Sequence, residues 1–223
     1  MQYSTFAAID IGSYDVILEI FEISKKQGIR SVDKICHRME LGKDTYTLGK
    51  IRPEMEEELC RVLADFVRIM EGYRVDDYRA TASSAISEAS NSLYVLGKIH
   101  QLTGLSVTVL SNSEQRFLSY KALAAMEDNF NKIIEKGTAI LDLDGGSFQI
   151  SLFDKDALVT TQNIRMGSLR IRERLAGIQS ETEHYEEMVE ELIWNEVSSF
   201  KKMYLKDREI KNLIGIGECI LYL

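Results

Sequence analysis

Apolar residues fall in short runs broken by glycine and charge. Residues 6–11 (FAAIDI) form one run, ended at Gly12-Ser13. Residues 16–23 form a second, interrupted only by Glu19 and Glu22, and the pair predicts a β-hairpin. A third strand is expected within 31–41. The period then changes: Pro53 suits the first turn of a helix, with Met55, Leu59, Val62, Leu63, Phe66 and Met70 on one face. Residues 79–82 predict a strand, 93–102 a helix stopping at Gly104, and 107–110 another strand. Ser113 can cap a helix running to about Met126.

Residues 128–136 are polar and charged and read as the connection between two lobes, 1–127 and 137–223. Beyond them the opening pattern returns. Residues 138–143 predict a strand, Asp144-Gly145-Gly146 a turn, and 148–153 the returning strand. A third strand at 159–164, a short helix at 168–175, a long amphipathic helix at 181–206 and a strand at 213–216 follow. Strands alternating with helices indicate the α/β class. Both halves share one order: hairpin with an acidic, glycine-bearing turn, third strand, helix.

Composition narrows the function. The chain has 223 residues, 45% apolar and 28% charged, which excludes a disordered, collagenous or disulfide-stapled protein. Lys plus Arg is 27 and Asp plus Glu 35, a net charge of −8. Non-specific nucleic-acid binding needs a positive field, so a nucleic-acid partner is not expected. Cys36, Cys60 and Cys219 lie far apart without a CxxC pair, and His37, His100 and His184 complete no zinc pattern; isolated thiols in a reducing compartment are expected. No run approaches the ~18–20 apolar residues of a membrane span. The opening MQYSTFAAIDIG has no basic region ahead of its apolar run, so no signal peptide is expected and the expected location is cytoplasmic.

Two turns carry the chemistry: Asp10-Ile11-Gly12-Ser13 and Asp142-Leu143-Asp144-Gly145-Gly146-Ser147. Glycine lets backbone N–H groups approach a phosphate closely, and a carboxylate ending the preceding strand can hold Mg²⁺ against it. Two such turns heading similar modules suggest a two-lobed phosphate clamp. The same residues also suit plain hairpins, with Asp10, Ser13, Asp142 and Ser147 satisfying turn N–H groups. Asp144 is also tolerated in left-handed geometry. The second turn echoes an EF-hand opening, but Phe153 stands at the twelfth position where that loop needs Glu.

Taken together, the motifs resemble the Ppx/GppA family of exopolyphosphatases and guanosine pentaphosphate phosphatases, within the actin/Hsp70/sugar-kinase superfamily. Residues 6–20 resemble its Ile-Asp-x-Gly-Ser-Asn-Ser turn, 82–91 (ASSAISEASN) its Ala-Thr-Ser-Ala-x-Arg-x-Ala-x-Asn segment, and 110–120 (LSNSEQRFLSY) its Ile-Ser-Gly-x-Glu-Glu-Ala-Arg-Leu-x-Tyr segment. Residues 142–149 (DLDGGSFQ) resemble Asp-Ile-Gly-Gly-Gly-Ser-Thr-Glu. Residues 165–175 fit the later Gly-x-x-x-Leu-Thr block, and 214–223 the start of a Gly-Gly-Thr segment.

The resemblance implies two similar ribonuclease-H-like (actin-like ATPase) lobes with an interlobe cleft, the second lobe short or truncated at its C-terminus. It also implies Mg²⁺-dependent hydrolysis of the terminal phosphoanhydride of polyphosphate or of a guanosine tetra/pentaphosphate, and a possible homodimer. Asp10, Asp142 and Asp144 become the metal candidates. Gly12, Ser13, Gly145, Gly146 and Ser147 become phosphate-binding candidates, and Glu114, Gln115 and Gln149 catalytic ones. Several positions depart from the family pattern: Tyr14 for Asn, Ile17 for a basic residue, Ser87 for Arg, Gln115 for the Glu aligned with the catalytic base, Asp144 for Gly and Gln149 for Glu. Glutamine keeps the shape of glutamate but cannot take a proton near neutral pH, although it can orient a water. A cleft that binds phosphates with impaired or lost hydrolysis is therefore expected.

An active hydrolase and a non-catalytic interaction scaffold stand as alternatives. Glu114 also suits a simple dipole partner at its helix start. Arg165, Arg170, Arg172 and Arg174 read either as a solvated helix face or as a polyanion contact. Asp142-Leu143-Asp144-Gly145 also resembles the nucleophile loop of haloacid-dehalogenase phosphatases, but no suitable downstream Lys and acidic pair follows it.

Overall fold

Alternating apolar residues pair the first two runs as an antiparallel hairpin. β1 (Ser4–Ile11) lies against β2 (Asp15–Ser24), with Asp10 opposite Ile17 and Ile11 opposite Val16. A computed structural model describes residues 3–126, 129–177, 184–206 and 208–217. It divides into two units, Met1–Ser111 and Asn112–Leu223.

In unit 1 the hairpin is extended by β3 (Gly28–Arg38), antiparallel to β2. On the other side β4 (Asp77–Ala82) and β5 (Val107–Val109) run parallel, giving the order β3-β2-β1-β4-β5. One sheet face carries Ala7, Ile9, Ile11, Val16, Leu18 and Ile20, all buried. They form one core with the apolar stripe of α2 (Pro53–Tyr73) and with α4 (Ser92–Thr103). The opposite face, with Phe6, Ala8, Asp10, Ile17, Glu19 and Phe21, holds no fully buried residue.

Unit 2 repeats the topology. β6 (Thr138–Leu143) and β7 (Phe148–Asp154) form the hairpin, β8 (Ala157–Ile164) extends it antiparallel, and β9 (Asn212–Ile216) adds parallel to β6. The order β8-β7-β6-β9 matches the first four strands of unit 1. Here both faces are covered. Ala139, Phe148, Ile150 and Leu152 pack with Phe200 of α8 (Tyr185–Tyr204). The other face, with Ile140 and Phe153, packs with Tyr120 and Leu123 of α5 (Asn112–Met126) and with Phe130 and Ile134 of α6 (Phe130–Ile134).

The polar segment 128–136 is thus more than a connection. Phe130 and Ile134, four residues apart, turn one helical face into the sheet, where Phe130 meets Phe153 edge-on at 6.4 Å. The helix ending at Met126 groups with the second unit rather than with a first lobe of 1–127, because Tyr120 stacks edge-on to Phe153 at 5.2 Å. Two short helices, α1 (Leu41–Leu48) and α3 (Ser84–Ser87), were not foreseen. α7 (Ser168–Leu175) falls where expected. Residues 181–183 of the expected long helix, 218–223 of the last motif (Cys219 among them) and Asp128 lie outside the described residues.

Candidate functional site

The two hairpin turns are built alike. Gly12 N–H donates to the Asp15 carbonyl at 2.9 Å, and Asp144 N–H donates to the Ser147 carbonyl at 3.0 Å. In each unit the turn's carbonyls then receive the first N–H groups of the helix after the third strand. Gly42 N–H of α1 donates to Ser13 O at 2.9 Å; in unit 2, Ser168 N–H donates to Asp144 O at 3.2 Å and Arg170 N–H to Gly145 O at 3.1 Å. This takes up orphan donors of both helix starts. It also explains Gly167: a Cβ there would stand 2.4 Å from the Asp144 and Gly145 carbonyl oxygens. Gly12 likewise serves close approach, since a Cβ there would stand 3.0 Å from the Asp15 carbonyl oxygen.

In unit 2 the turn borders a pocket of about 290 Å³, open solvent included, lined by Asn112, Gln115, Arg116, Asp142, Asp144, Ser147, Gln149 and Asn163. Strand register builds one wall. Asp142 of β6 stands opposite Gln149 of β7, and Gln149 opposite Asn163 of β8, so the three share one face as a polar row. α5 supplies the other wall: Asn112, Gln115, Arg116 and Ser119 recur at helical spacing, and Ser119 Oγ donates to Asp142 Oδ2 at 3.2 Å. One turn further on, the same face becomes apolar at Tyr120 and Leu123 and joins the core.

Burial holds both carboxyls above the ordinary aspartate range. For Asp142 the loss of solvent outweighs the Ser119 hydroxyl, which pulls the other way. For Asp144 burial again dominates, opposed by the Gly145 N–H that donates to its Oδ1 at 2.6 Å and reinforced by the nearby Asp142 charge. Asp144 thus turns back on its own turn and occupies an amide donor. Arg116 is the one cationic residue lining the pocket.

The sequence-derived candidates separate accordingly. Gln115, Gln149, Asp142, Asp144 and Ser147 line the pocket; Glu114, on the exposed side of α5, does not. Gly145 and Gly146 are buried behind it, and Gly146 O accepts Arg170 Nε at 2.8 Å. The arginine cluster is dispersed: Arg165 and Arg174 are exposed, and Arg172 pairs with Glu173 at 2.9 Å. In unit 1, Asp10 is exposed and accepts from Thr81 Oγ1 at 3.3 Å. Ser13 is fully buried, its hydroxyl shared with Tyr46 at 2.7 Å and Ser84 at 3.3 Å. Asn91 of the second motif is a girder: it bonds both backbone groups of Ile51 and donates to buried Glu56 at 2.9 Å.

Asn112 and Arg116 of the pocket, Ser119 as the partner of Asp142, and Asn163 of the pocket were missed. The spacing of the first three was the available signal; Asn163 needed the β7–β8 register. No cluster of three or more His, Cys, Asp or Glu able to hold a metal occurs among the described residues. The pocket's donors are two carboxylates with amide and hydroxyl oxygens, an all-oxygen set that suits a hard divalent cation keeping several waters.

A family model described as the Ppx/GppA phosphatase family matches residues 19–221. The bifunctional 3-dehydroquinate synthase/phosphatase of Fusobacterium nucleatum is 22% identical over 174 residues, 75% of this chain and 26% of the relative. Exopolyphosphatase 1 of Mycobacterium leprae is 25% identical over 144 residues, 64% of this chain and 41% of the relative. The chain thus spans between about a quarter and two fifths of the length of these curated relatives. The crystal structure of the Aquifex aeolicus Ppx/GppA family member has a TM-score of 0.72 at 23% identity, covering 98% of this chain and 68% of that one. Weaker fold likeness extends to the ethanolamine utilization protein EutJ of Carboxydothermus hydrogenoformans (TM-score 0.52, 15% identity, 96% of this chain and 77% of that one), a likeness of the α/β fold alone. With the family model matching residues 19–221, nearly the whole chain, this chain belongs to the Ppx/GppA phosphatase family.

Proposed function

We propose that unit 2 binds the terminal phosphates of a condensed phosphate, polyphosphate or a guanosine tetra/pentaphosphate, together with a divalent cation, and that phosphoanhydride hydrolysis is impaired or lost. The single observation behind this reading is the pairing of Gln115 and Gln149 in the same pocket as Asp142 and Asp144. The amides can position a water or a phosphate oxygen but cannot accept the water's proton. Asp144 moreover holds the Gly145 N–H that would otherwise face an anion. Arg116 supplies the guanidinium for a phosphate oxygen, and Asn112 and Asn163 supply amide donors. Asp142 and Asp144 are the residues that would hold Mg²⁺, which when bound neutralises phosphate charge beside them. That relatives are named exopolyphosphatases supports a polyphosphate chain as the ligand.

A second reading, an active Mg²⁺-dependent exopolyphosphatase or guanosine pentaphosphate phosphohydrolase, draws on the raised carboxyls. An aspartate lifted toward neutrality by burial is a better proton acceptor than an ordinary one. Phosphate release and ligand binding measured on the same samples separate the two. The binding reading expects Mg²⁺-dependent retention of polyphosphate without turnover, and turnover appearing in Gln115→Glu with Gln149→Glu. Robust wild-type turnover that disappears in Asp142→Ala would replace it with the second reading.

A further inference from the structure

The two hairpin turns differ by one telling side chain. Asp142 of β6 matches Asp10 of β1, and two residues further on Asp144 stands where unit 1 has Gly12. Both residues close their turn with the same backbone bond, Gly12 N–H to Asp15 O at 2.9 Å and Asp144 N–H to Ser147 O at 3.0 Å. Glycine therefore suffices to build this turn, and the Asp144 carboxylate is not needed for its shape. Its Oδ1 instead accepts the Gly145 N–H at 2.6 Å, the one hydrogen bond of this carboxylate among the described residues. Holding it there costs desolvation, and the Asp142 charge nearby adds repulsion. A carboxylate held at such a cost on a pocket wall, by a single neutral donor, is poised to exchange its partner.

We propose that Asp144 is a built-in anion that closes the Gly145 N–H to phosphate and releases it when a divalent cation binds, so that the cation gates the anion. The proposal rests on the reading of this pocket as a site for a condensed phosphate and a cation, and it adds the order in which they bind. An N–H donates one proton; while the Asp144 oxygen takes it, a phosphate oxygen cannot. A phosphate arriving at the cation-free pocket also meets the charges of Asp142 and Asp144, with Arg116 the one cationic lining residue to offset them. A bound cation reverses both effects. Asp142 and Asp144 are the two carboxylates among amide and hydroxyl oxygens, so they are the ligands a hard cation prefers. Attraction between two charges exceeds attraction between a charge and an amide dipole, and Asp144 turns from the Gly145 N–H toward the cation. The freed N–H belongs to a glycine, with no side chain over it, and is then open to a phosphate oxygen. By linkage, phosphate tightens cation binding by the same factor by which the cation tightens phosphate binding.

The Gly145 amide resonance of the whole ¹⁵N-labelled chain tests this directly. Mg²⁺ alone should shift it upfield as the bond to the carboxylate is lost, and tripolyphosphate added afterwards should shift it downfield again. In Asp144→Asn, whose neutral side chain a cation draws far less, Mg²⁺ should leave the resonance in place. Calorimetry with tripolyphosphate in metal-free buffer gives a second readout. There Asp144→Gly should bind more tightly than the wild type by about tenfold, the worth of one hydrogen bond to a charged group. Asp142→Asn removes the same charge but leaves the Gly145 N–H occupied, and should tighten binding clearly less. With Mg²⁺ present the order of wild type and Asp144→Gly reverses, because the wild type then has both the free amide and the second carboxylate. A Gly145 resonance unmoved by Mg²⁺, or moved equally in Asp144→Asn, overturns the gate. So does a metal-free Asp144→Gly no tighter than Asp142→Asn, and both results leave the binding reading standing. A wild type that binds tripolyphosphate neither with nor without Mg²⁺ overturns that reading and the gate with it.

Discussion

The Ser119 hydroxyl donates to Asp142 Oδ2 at 3.2 Å and fastens α5 to the end of β6. This bond joins the polar wall of a helix to the polar row of a sheet, and it is the contact that opposes the upward shift of Asp142. Ser119→Ala should therefore raise the Asp142 carboxyl further. Hydrogen bonds to charged acceptors contribute roughly 1.5–3 kcal/mol, so a loss of stability of that order is expected at neutral pH. Carboxyl ¹³C titration of the two proteins checks this, and an unchanged Asp142 titration would refute it.

Asp144 gives a pH prediction. Its folded value and that of Asp142 lie above the ordinary aspartate value of 3.8. Stability contributed by such a group is fully present below the unfolded value and is lost as pH rises through the folded one. In metal-free protein, Asp144→Asn removes one of these losses while leaving an oxygen for the Gly145 N–H. The drop in melting temperature between about pH 4 and pH 7 should be smaller in the variant than in the wild type. An identical drop would show that Asp144 keeps its ordinary titration.

Gly167 sits where the α7 start presses on the 144–145 turn. A methyl group 2.4 Å from two carbonyl oxygens cannot be absorbed by a flexible side chain, because both neighbours are backbone. Gly167→Ala should cost about 2–3 kcal/mol and lower the melting temperature by roughly 10 °C. Gly177→Ala, whose Cβ would meet nothing within 4 Å, serves as the control and should change little.

Asn91 predicts a purely structural phenotype in unit 1. Asn91→Ala leaves the Ile51 N–H and carbonyl without their partner and strips Glu56 to its 3.3 Å contact with Lys98. A loss of roughly 2–4 kcal/mol, read as a lower urea midpoint, is expected. Asn91→Asp should be no better, since its carboxylate would face the Ile51 carbonyl and the Glu56 charge. Stability retained in the aspartate variant would mean that the amide donors are dispensable.

Much of the architecture was legible in the chain because local periodicity reports local structure. Short apolar runs at 6–11 and 138–143 yielded strands, and the 3.6-residue stripe after Pro53 yielded α2. α1 was missed although its counterpart α7 was found: the repeat itself was the signal, but Leu41–Leu48 shows little apolar contrast and its start is held by the carbonyls of Ser13 and Tyr14. The charged stretch around Phe130 misled because only two apolar residues mark its buried side.

By itself the sequence determined the strand order and the longer helices, the two-fold repeat of acidic hairpin turns and the family, since all three reside in residues near one another along the chain. Tertiary structure decided what surrounds each turn. Asp142 and Asp10 hold the same hairpin position, yet α5 covers the sheet face that carries Asp142, while Asp10 stays exposed. Asn163 joins Gln149 through strand register, Ser119 reaches Asp142 across the fold, and Ser13 is sealed by Tyr46 and Ser84. These pairings depend on which distant segments pack together, and packing energy is set by the whole core rather than by any local pattern.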